Sequence, residues 1–255
     1  MQNLKVATIQ SDLFWEDVDK NISQFEIKIK AITSKIDLII LPETFTTGFS
    51  MKTEKLAEKM DGKTVSWLQK MAKEKNACIL GSLIILENDK YYNRLICAFA
   101  DGKILHYDKR HLFTFGNEHK HFEPGTERLV FEINGFKICP LICYDLRFPV
   151  WSRNTENIDL FIYVANWPDA RIFAWDTLLK SRAIENVSYV IGCNRVGKDG
   201  FKKSFVGNST VLNYTGKSIL EFSSGENQTG IVELNKEKLV DFRKVFPALA
   251  DGDFD

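Results

Sequence analysis

Apolar positions in the first third of the chain follow two alternating periods. Leu4 to Gln10 is a short run dominated by apolar residues, the signature of a buried strand. Val18, Ile22, Phe25, Ile29 and Ile32 then recur at steps of four, three, four and three, which puts them on one face of a helix. Asp37 to Leu41 reads as a second buried strand stopped by Pro42, and Ala77 to Ile85 as a third. Between these strands Thr64 is expected to cap a helix that runs to Asn76 and buries Val65, Leu68, Met71 and Ala72.

From residue 91 onward the pattern changes to paired strands. Residues 91–100 and 103–108 flank Asp101-Gly102, and residues 127–133 and 136–143 flank Asn134-Gly135. Both dipeptides suit type I′ hairpins, because each central position then needs a positive φ. A strand over 159–165, a helix over about 172–187, strands over 188–195, 204–213, 217–222 and 228–234, and a last helix near 236–245 complete the series. One-sided helices beside hairpins imply sheets covered by helices on one face and by another sheet on the other. The expected class is therefore α/β, a four-layer α-β-β-α sandwich. With no low-complexity linker or repeat, residues 1–255 read as one domain with a C-terminal tail at about 236–255.

Composition narrows the function. At 255 residues and 44% hydrophobic residues, the chain can bury a core without disulfides. Thirty-four basic residues offset thirty-four acidic ones, so no overall field favours nucleic acid or an anionic membrane. The longest clean apolar run, Leu38 to Leu41, is far too short for a span, and the start of the chain lacks a signal-peptide pattern. Five cysteines without framework spacing suit reduced thiols in a cytoplasmic protein. The expected partner is a small molecule.

Three strand ends carry the candidate chemistry. Cys143 closes the strand FKICPLIC and is followed at once by a turn, YDLRFP, that suits a short helix. A cysteine at such an elbow is presented at the sheet edge, where the helix N-terminus is expected to lower its pKa. The alternative is an inert apolar cysteine, which is the preferred reading for Cys78, Cys97, Cys139 and Cys193. Glu43 follows the buried strand DLIILP, a place suited to a general base, and Lys109 ends GKILHYDK, where its charge can face an oxyanion. Each has a commoner alternative, a loop carboxylate and a solvated lysine. Together they supply a nucleophile, a base and a cation, the minimum for acyl transfer. Pro140 inside the nucleophile's strand requires a bulge or a free edge there.

The segments LPETFTTGF (41–49), YDKRHLF (107–113) and LICYDLRFPVWSRN (141–154) resemble, in order and separation, the catalytic blocks of the nitrilase (carbon–nitrogen hydrolase) superfamily. VANWPDAR (164–171), RAIENVSYVIGCNRVG (182–197) and DFRKVFPALADGDFD extend the likeness to nearly the whole chain, which looks most like the omega-amidase branch. The resemblance implies a nitrilase-like fold, a homodimer and no cofactor. It also implies hydrolysis of 2-oxo-dicarboxylic acid monoamides such as 2-oxoglutaramate, through a thioester. Its residue roles would be Glu43 as base and acid, Lys109 as oxyanion stabiliser and Cys143 as nucleophile, with Glu118 as a supporting carboxylate. Glu123, five residues on, competes for that last role.

Other readings compete with this one. His106, His111, His119 and His121 fall within sixteen positions and could join Glu118 and Glu123 in a zinc-dependent hydrolase, although C-x-x-C and H-E-x-x-H spacings are absent. Otherwise these histidines belong to a polar loop over the site, exposed or bonded to backbone. Gly216-Lys217-Ser218 ends like a phosphate loop, but Val211 stands where its first glycine is required. A non-enzymatic binding protein on this fold also remains, as do nitriles and N-carbamoyl compounds as substrates within the superfamily. Tyr144, Trp167 and Arg171, just past strand ends, either line a substrate pocket or serve structure, Trp167 in the core and Arg171 on a carboxylate.

Overall fold

The apolar run at the start forms strand β1 (Leu4–Gln10), followed by α1 (Val18–Lys30), β2 (Leu38–Ile40), α2 (Thr53–Leu56) and α3 (Lys63–Lys75). Next come β3 (Cys78–Glu87), β4 (Lys90–Ala98), β5 (Ile104–Asp108), β6 (Phe131–Ile133), β7 (Phe136–Ile142) and β8 (Leu160–Ala165). The chain continues through α4 (Ile172–Asn186), β9 (Tyr189–Asn194), β10 (Val196–Lys198), β11 (Ser204–Val206), β12 (Thr210–Leu212), β13 (Ser218–Glu221), β14 (Gln228–Leu234) and α5 (Lys236–Val245). This computed structural model describes residues 2–252, so the last three residues of the expected tail lie outside it.

Two six-stranded sheets form, in the orders β14-β1-β2-β3-β4-β5 and β13-β12-β9-β8-β7-β6, with β10 and β11 as a separate hairpin. Alternation along β2 shows why they stack. Ile39 faces outward into the cluster with Phe25 and Ile29 of α1 and Leu68 and Met71 of α3. Leu38 and Ile40 face inward, into the cluster shared with Ile138, Phe161 and Ile191 of the second sheet. On the far side, Trp175, Leu179 and Ala183 of α4 pack on that second sheet. Gly192 of β9 permits the close approach, since a Cβ there would lie 2.5 Å from Leu179 and 2.7 Å from Trp175. The result is the α-β-β-α sandwich expected from the pattern. Among the described residues no helix is long and apolar enough to cross a membrane.

Several local expectations change. Asn134-Gly135 makes the expected two-residue turn, with φ of 52° and 78° and Ile133 paired to Phe136. At Asp101-Gly102 only the glycine has a positive φ, and the connection widens to a loop closed by Phe99 N donating to Lys103 O. Thr64 does not cap α3. Gly62 takes that position, and Glu58 accepts both the Thr64 N–H and its hydroxyl, so the cap comes from the preceding loop. The expected strand 204–213 breaks into β11 and β12 at Gly207 and Asn208, both at positive φ. Pro140 sits where β6 no longer reaches: β6 pairs with β7 only as far as Ile138, leaving a free edge beyond.

Candidate active site

Strand direction gathers the candidate residues. β1, β2 and β3 are mutually parallel, β4 reverses, and β5 reverses again, so β2 and β5 point the same way. Glu43 and Lys109, each just past one of those strands, therefore emerge at one end of the first sheet. In the second sheet β7, β8 and β9 are parallel, and Cys143 and Asn166 follow β7 and β8. A cavity of about 390 Å³ opens where these ends meet, lined by Glu43, Lys109, Cys143, Tyr144, Trp167 and Arg171 among others. Ligand crevices at carboxyl ends of parallel strands follow from this geometry in open α/β sheets generally.

Lys109 is almost fully buried between two carboxylates that are themselves shut off from solvent. Its Nζ lies 2.9 Å from Glu43 Oε1 and 3.0 Å from both oxygens of Glu118. Burial works against the ammonium, but the charges of Glu118 and Glu43 outweigh it and raise the Lys109 pKa. The Glu118 carboxyl is pushed up by burial and by the neighbouring Glu43, with Lys109 opposing. Glu118 also accepts from the Phe113 N–H at 2.6 Å and from Asn93 Nδ2 at 3.2 Å. Glu123 is half-exposed and pairs with Lys90 at 3.6 Å, so Glu118 is the carboxylate beside the lysine.

The Lys109 backbone is pinned as firmly as its side chain. Its N–H donates to Asn93 O and its carbonyl accepts from Gly125 N, each at 3.0 Å. Buried Arg94 grips the adjacent Asp108 through two bonds of 2.7 and 2.8 Å.

Glu43 accepts four donors. Besides Lys109, Asn93 Nδ2 reaches Oε1 at 2.9 Å, and the Asn166 N–H reaches Oε2 at 2.7 Å with Asn166 Nδ2 at 3.4 Å. Asn166 Nδ2 also ties the Glu43 and Thr44 backbone region, bonding Glu43 O at 2.7 Å and Thr44 Oγ1 at 3.0 Å. Neither Asn93 nor Asn166 stood out in the sequence as a site residue. Asn166 lay inside the matched segment VANWPDAR, whereas Asn93 sits mid-strand and gives no local signal.

Cys143 starts a 3-10 helix, Cys143–Arg147, directly after β7, and takes φ 46°, a left-handed conformation that is strained for a side-chain-bearing residue. The thiol departs from expectation: burial and then the Glu43 charge push its pKa well above the ordinary value, with Lys109 opposing. One short 3-10 turn does not offset the burial of the thiol and the two carboxylates beside it. Cys143 rests as a thiol beside a ready acceptor, not as a preformed thiolate.

Tyr144, Trp167 and Arg171 all reach the pocket. Trp167 serves structure as well, packing with its ring centre 5.6 Å from that of Trp175 at a tilt of 44° and donating from Nε1 to Arg171 O. The Arg171 guanidinium lies 5.1 Å over the Phe113 ring, and its pKa is lowered by burial. No carboxylate pairs with it among the described residues.

The histidines separate. His111 Nδ1 lies 2.8 Å from Asp145 Oδ1 and its ring stacks on Phe148 at 3.8 Å, contacts that exposed or backbone-bonded histidines would not make. His121 lines the pocket rim, while His106 belongs to β5. Among the described residues no three His, Cys, Asp or Glu side chains are grouped to hold a metal ion.

A sandwich of two sheets with an acid, a lysine and a thiol at its strand ends defines the carbon–nitrogen hydrolase class. Residues 5–244 match the carbon-nitrogen hydrolase family, and the chain belongs to it as a hydrolase of non-peptide amides. It is 43% identical to the omega-amidase YafV of Yersinia enterocolitica over 99% of this chain and 98% of that one. It is 33% identical to the 2-oxoglutaramate amidase of Bacillus subtilis over 96% of each. A CN-hydrolase superfamily protein of Xanthomonas campestris, whose crystal structure carries an arsenic adduct in the active site, superposes with a TM-score of 0.97 at 41% identity. That match covers 100% of this chain and 99% of the other.

Proposed function

We propose that this protein hydrolyses the terminal amide of a 2-oxo-dicarboxylic acid monoamide, with 2-oxoglutaramate as the leading substrate, through a thioester on Cys143. The observation that carries the reading is the buried Glu43–Lys109–Glu118 cluster opening onto the same cavity as the Cys143 thiol.

The steps follow from those groups. Glu43 takes the thiol proton as sulfur attacks the amide carbon, so the negative charge moves from the carboxylate through sulfur to the carbonyl oxygen. Lys109 and the Tyr144 N–H stabilise that oxyanion, since the first N–H groups of a helical turn lack partners within it. Glu43 returns the proton to the departing nitrogen, ammonia leaves, and the acyl group remains on sulfur. Water, deprotonated by Glu43, then releases the acid and restores the thiol. Glu118 keeps Lys109 charged and in place. The sequence of steps is complete without a metal or an organic cofactor.

The far end of the substrate is assigned to Arg171, a half-buried cation that pairs with no carboxylate among the described residues. Of the charges lining the pocket, Arg147, Arg171 and Lys203 outnumber Asp199, with Glu43 already paired to Lys109, and that balance disfavours an α-ammonium. Glutamine differs from 2-oxoglutaramate by carrying that ammonium, and burying it unpaired costs several kcal/mol, enough for discrimination of roughly 10²–10⁴-fold. We further take the enzyme to be cytoplasmic and homodimeric, a reading supported by its family likeness and its five free thiols.

Ammonia release is the test. The expected order in kcat/KM is 2-oxoglutaramate well above glutamine, with nitriles and N-carbamoyl compounds behind. Cys143→Ala abolishes turnover, and Arg171→Ala raises KM for the oxo acid. Equal efficiency for glutamine removes the oxo-acid assignment, normal turnover by Cys143→Ala removes the thioester, and an unchanged KM removes Arg171 as the partner of the substrate's far carboxylate.

A further inference from the structure

Asp145 lies in neither the cavity wall nor the buried cluster, yet it is fully buried and accepts four hydrogen bonds. Oδ1 accepts from the His111 backbone N–H at 3.0 Å and lies 2.8 Å from His111 Nδ1. Oδ2 accepts from the Ile142 backbone N–H at 3.0 Å and from the Tyr107 hydroxyl at 2.7 Å. All four lone-pair sites of the carboxylate are therefore used.

The partners come from opposite halves of the sandwich. His111 is two residues beyond Lys109, on the loop leaving the first sheet. Ile142 immediately precedes Cys143, at the end of β7 in the second. Further contacts join the same two segments: the His111 ring stacks on Phe148, which follows the Cys143 turn, and Trp151 Nε1 donates to the Tyr107 hydroxyl at 3.0 Å. We propose that Asp145 is a positioning residue that sets Cys143 against Lys109 by holding both segments on one carboxylate. This inference rests on the roles proposed above for those two residues.

The chemistry explains why a carboxylate is needed. Each oxygen faces one backbone N–H, and a backbone N–H cannot turn into an acceptor. Asn in place of Asp presents an NH2 group to one of them whichever way the amide is flipped. One segment must then move away, and a displacement of about 1 Å between reacting groups costs on the order of 10²-fold in rate.

The test is kinetic and per active site. In Asp145→Asn the sites that iodoacetamide can titrate at Cys143 should turn over 2-oxoglutaramate about 10²-fold slower than wild type, with KM changed only a few-fold. A purely structural residue would lower the number of titratable sites and leave the rate at each one unchanged, and that result would overturn the proposal. His111→Phe keeps the ring stack and the backbone N–H but removes the Nδ1 contact, so it serves if Asp145→Asn does not fold. It should lose roughly tenfold in kcat per titratable site, the scale of a single hydrogen bond, and a wild-type rate per site would again reject the proposal. If wild-type protein releases ammonia from no amide, the underlying functional reading fails. Active wild type with unimpaired variants sinks only the role of Asp145.

Discussion

Lys109 holds its charge in a place that water does not reach, and that single fact organises the residues around it. A lone ammonium there would shed its proton, so Glu118 and Glu43 stand against it and raise its pKa. The same cluster acts on Cys143 in opposing directions: Glu43 and Glu118 raise the thiol pKa, and Lys109 lowers it. Because iodoacetamide reacts with the thiolate, these signs can be read from labelling. Glu118→Gln removes a negative neighbour, so Cys143 labelling should begin at lower pH than in wild type. Lys109→Ala removes the positive one, so labelling should begin at higher pH. Mass spectrometry of the labelled peptide across a pH series checks both, and shifts of the opposite sign would refute this account of the site's electrostatics.

At the scale of elements, the loop after β5 is held by a contact without slack. A Cβ on Gly125 would lie 2.1 Å from the carbonyl oxygen of Asp108, a backbone atom that cannot swing aside. Gly125→Ala must therefore push the Lys109 segment outward. The expected cost is about 1–3 kcal/mol of stability, as for other overpacked positions, together with a large loss of kcat. Asp17, which caps α1 by accepting from Lys20 N, makes the contrast. Asp17→Ala should cost about 1 kcal/mol of stability through the lost cap and leave kcat unchanged, because neither Asp17 nor any residue of α1 lines the cavity. Urea melts with parallel kinetics decide the pair, and equal kcat losses in the two variants would contradict the pinning of the Lys109 loop.

Across the whole molecule, all five cysteines are free and all have raised pKa values. Burial does this at every position, pushing Cys139 up to about 12. Unfolded thiols titrate near about 8.5. Below that pH folded and unfolded chains hold the same thiol protons, and the stabilising contribution is intact. Above it the unfolded chain loses protons that the folded one keeps, so stability falls as pH rises towards the folded values. The slope is about 1.4 kcal/mol per pH unit for each thiol still protonated in the fold. Denaturant melts in the presence of reductant should show this loss between pH 8.5 and 10, with a smaller slope in Cys193→Ala. A flat profile would mean that the thiols ionise in the native state.

Much of this was legible in the chain because it follows from local periodicity and local chemistry. The repeating steps from Val18 to Ile32, the apolar runs at β1 and β2, and the Asn134-Gly135 turn each carry their instruction within a few residues. So do the three strand ends bearing Glu43, Lys109 and Cys143, whose blocks match a family in order and spacing. Tertiary structure decided whatever depended on neighbours far along the chain. It selected Glu118 over Glu123, because only one of them turns inward to Lys109. It brought in Asn93 and Asn166, which are 73 residues apart in the chain and meet only at Glu43. It also reversed the expectation for the Cys143 thiol, since a helix start can be read locally but the burial of the thiol and the charges around it cannot. Hydrogen bonds and desolvation act through space, and the spacing of residues along a sequence does not record that distance.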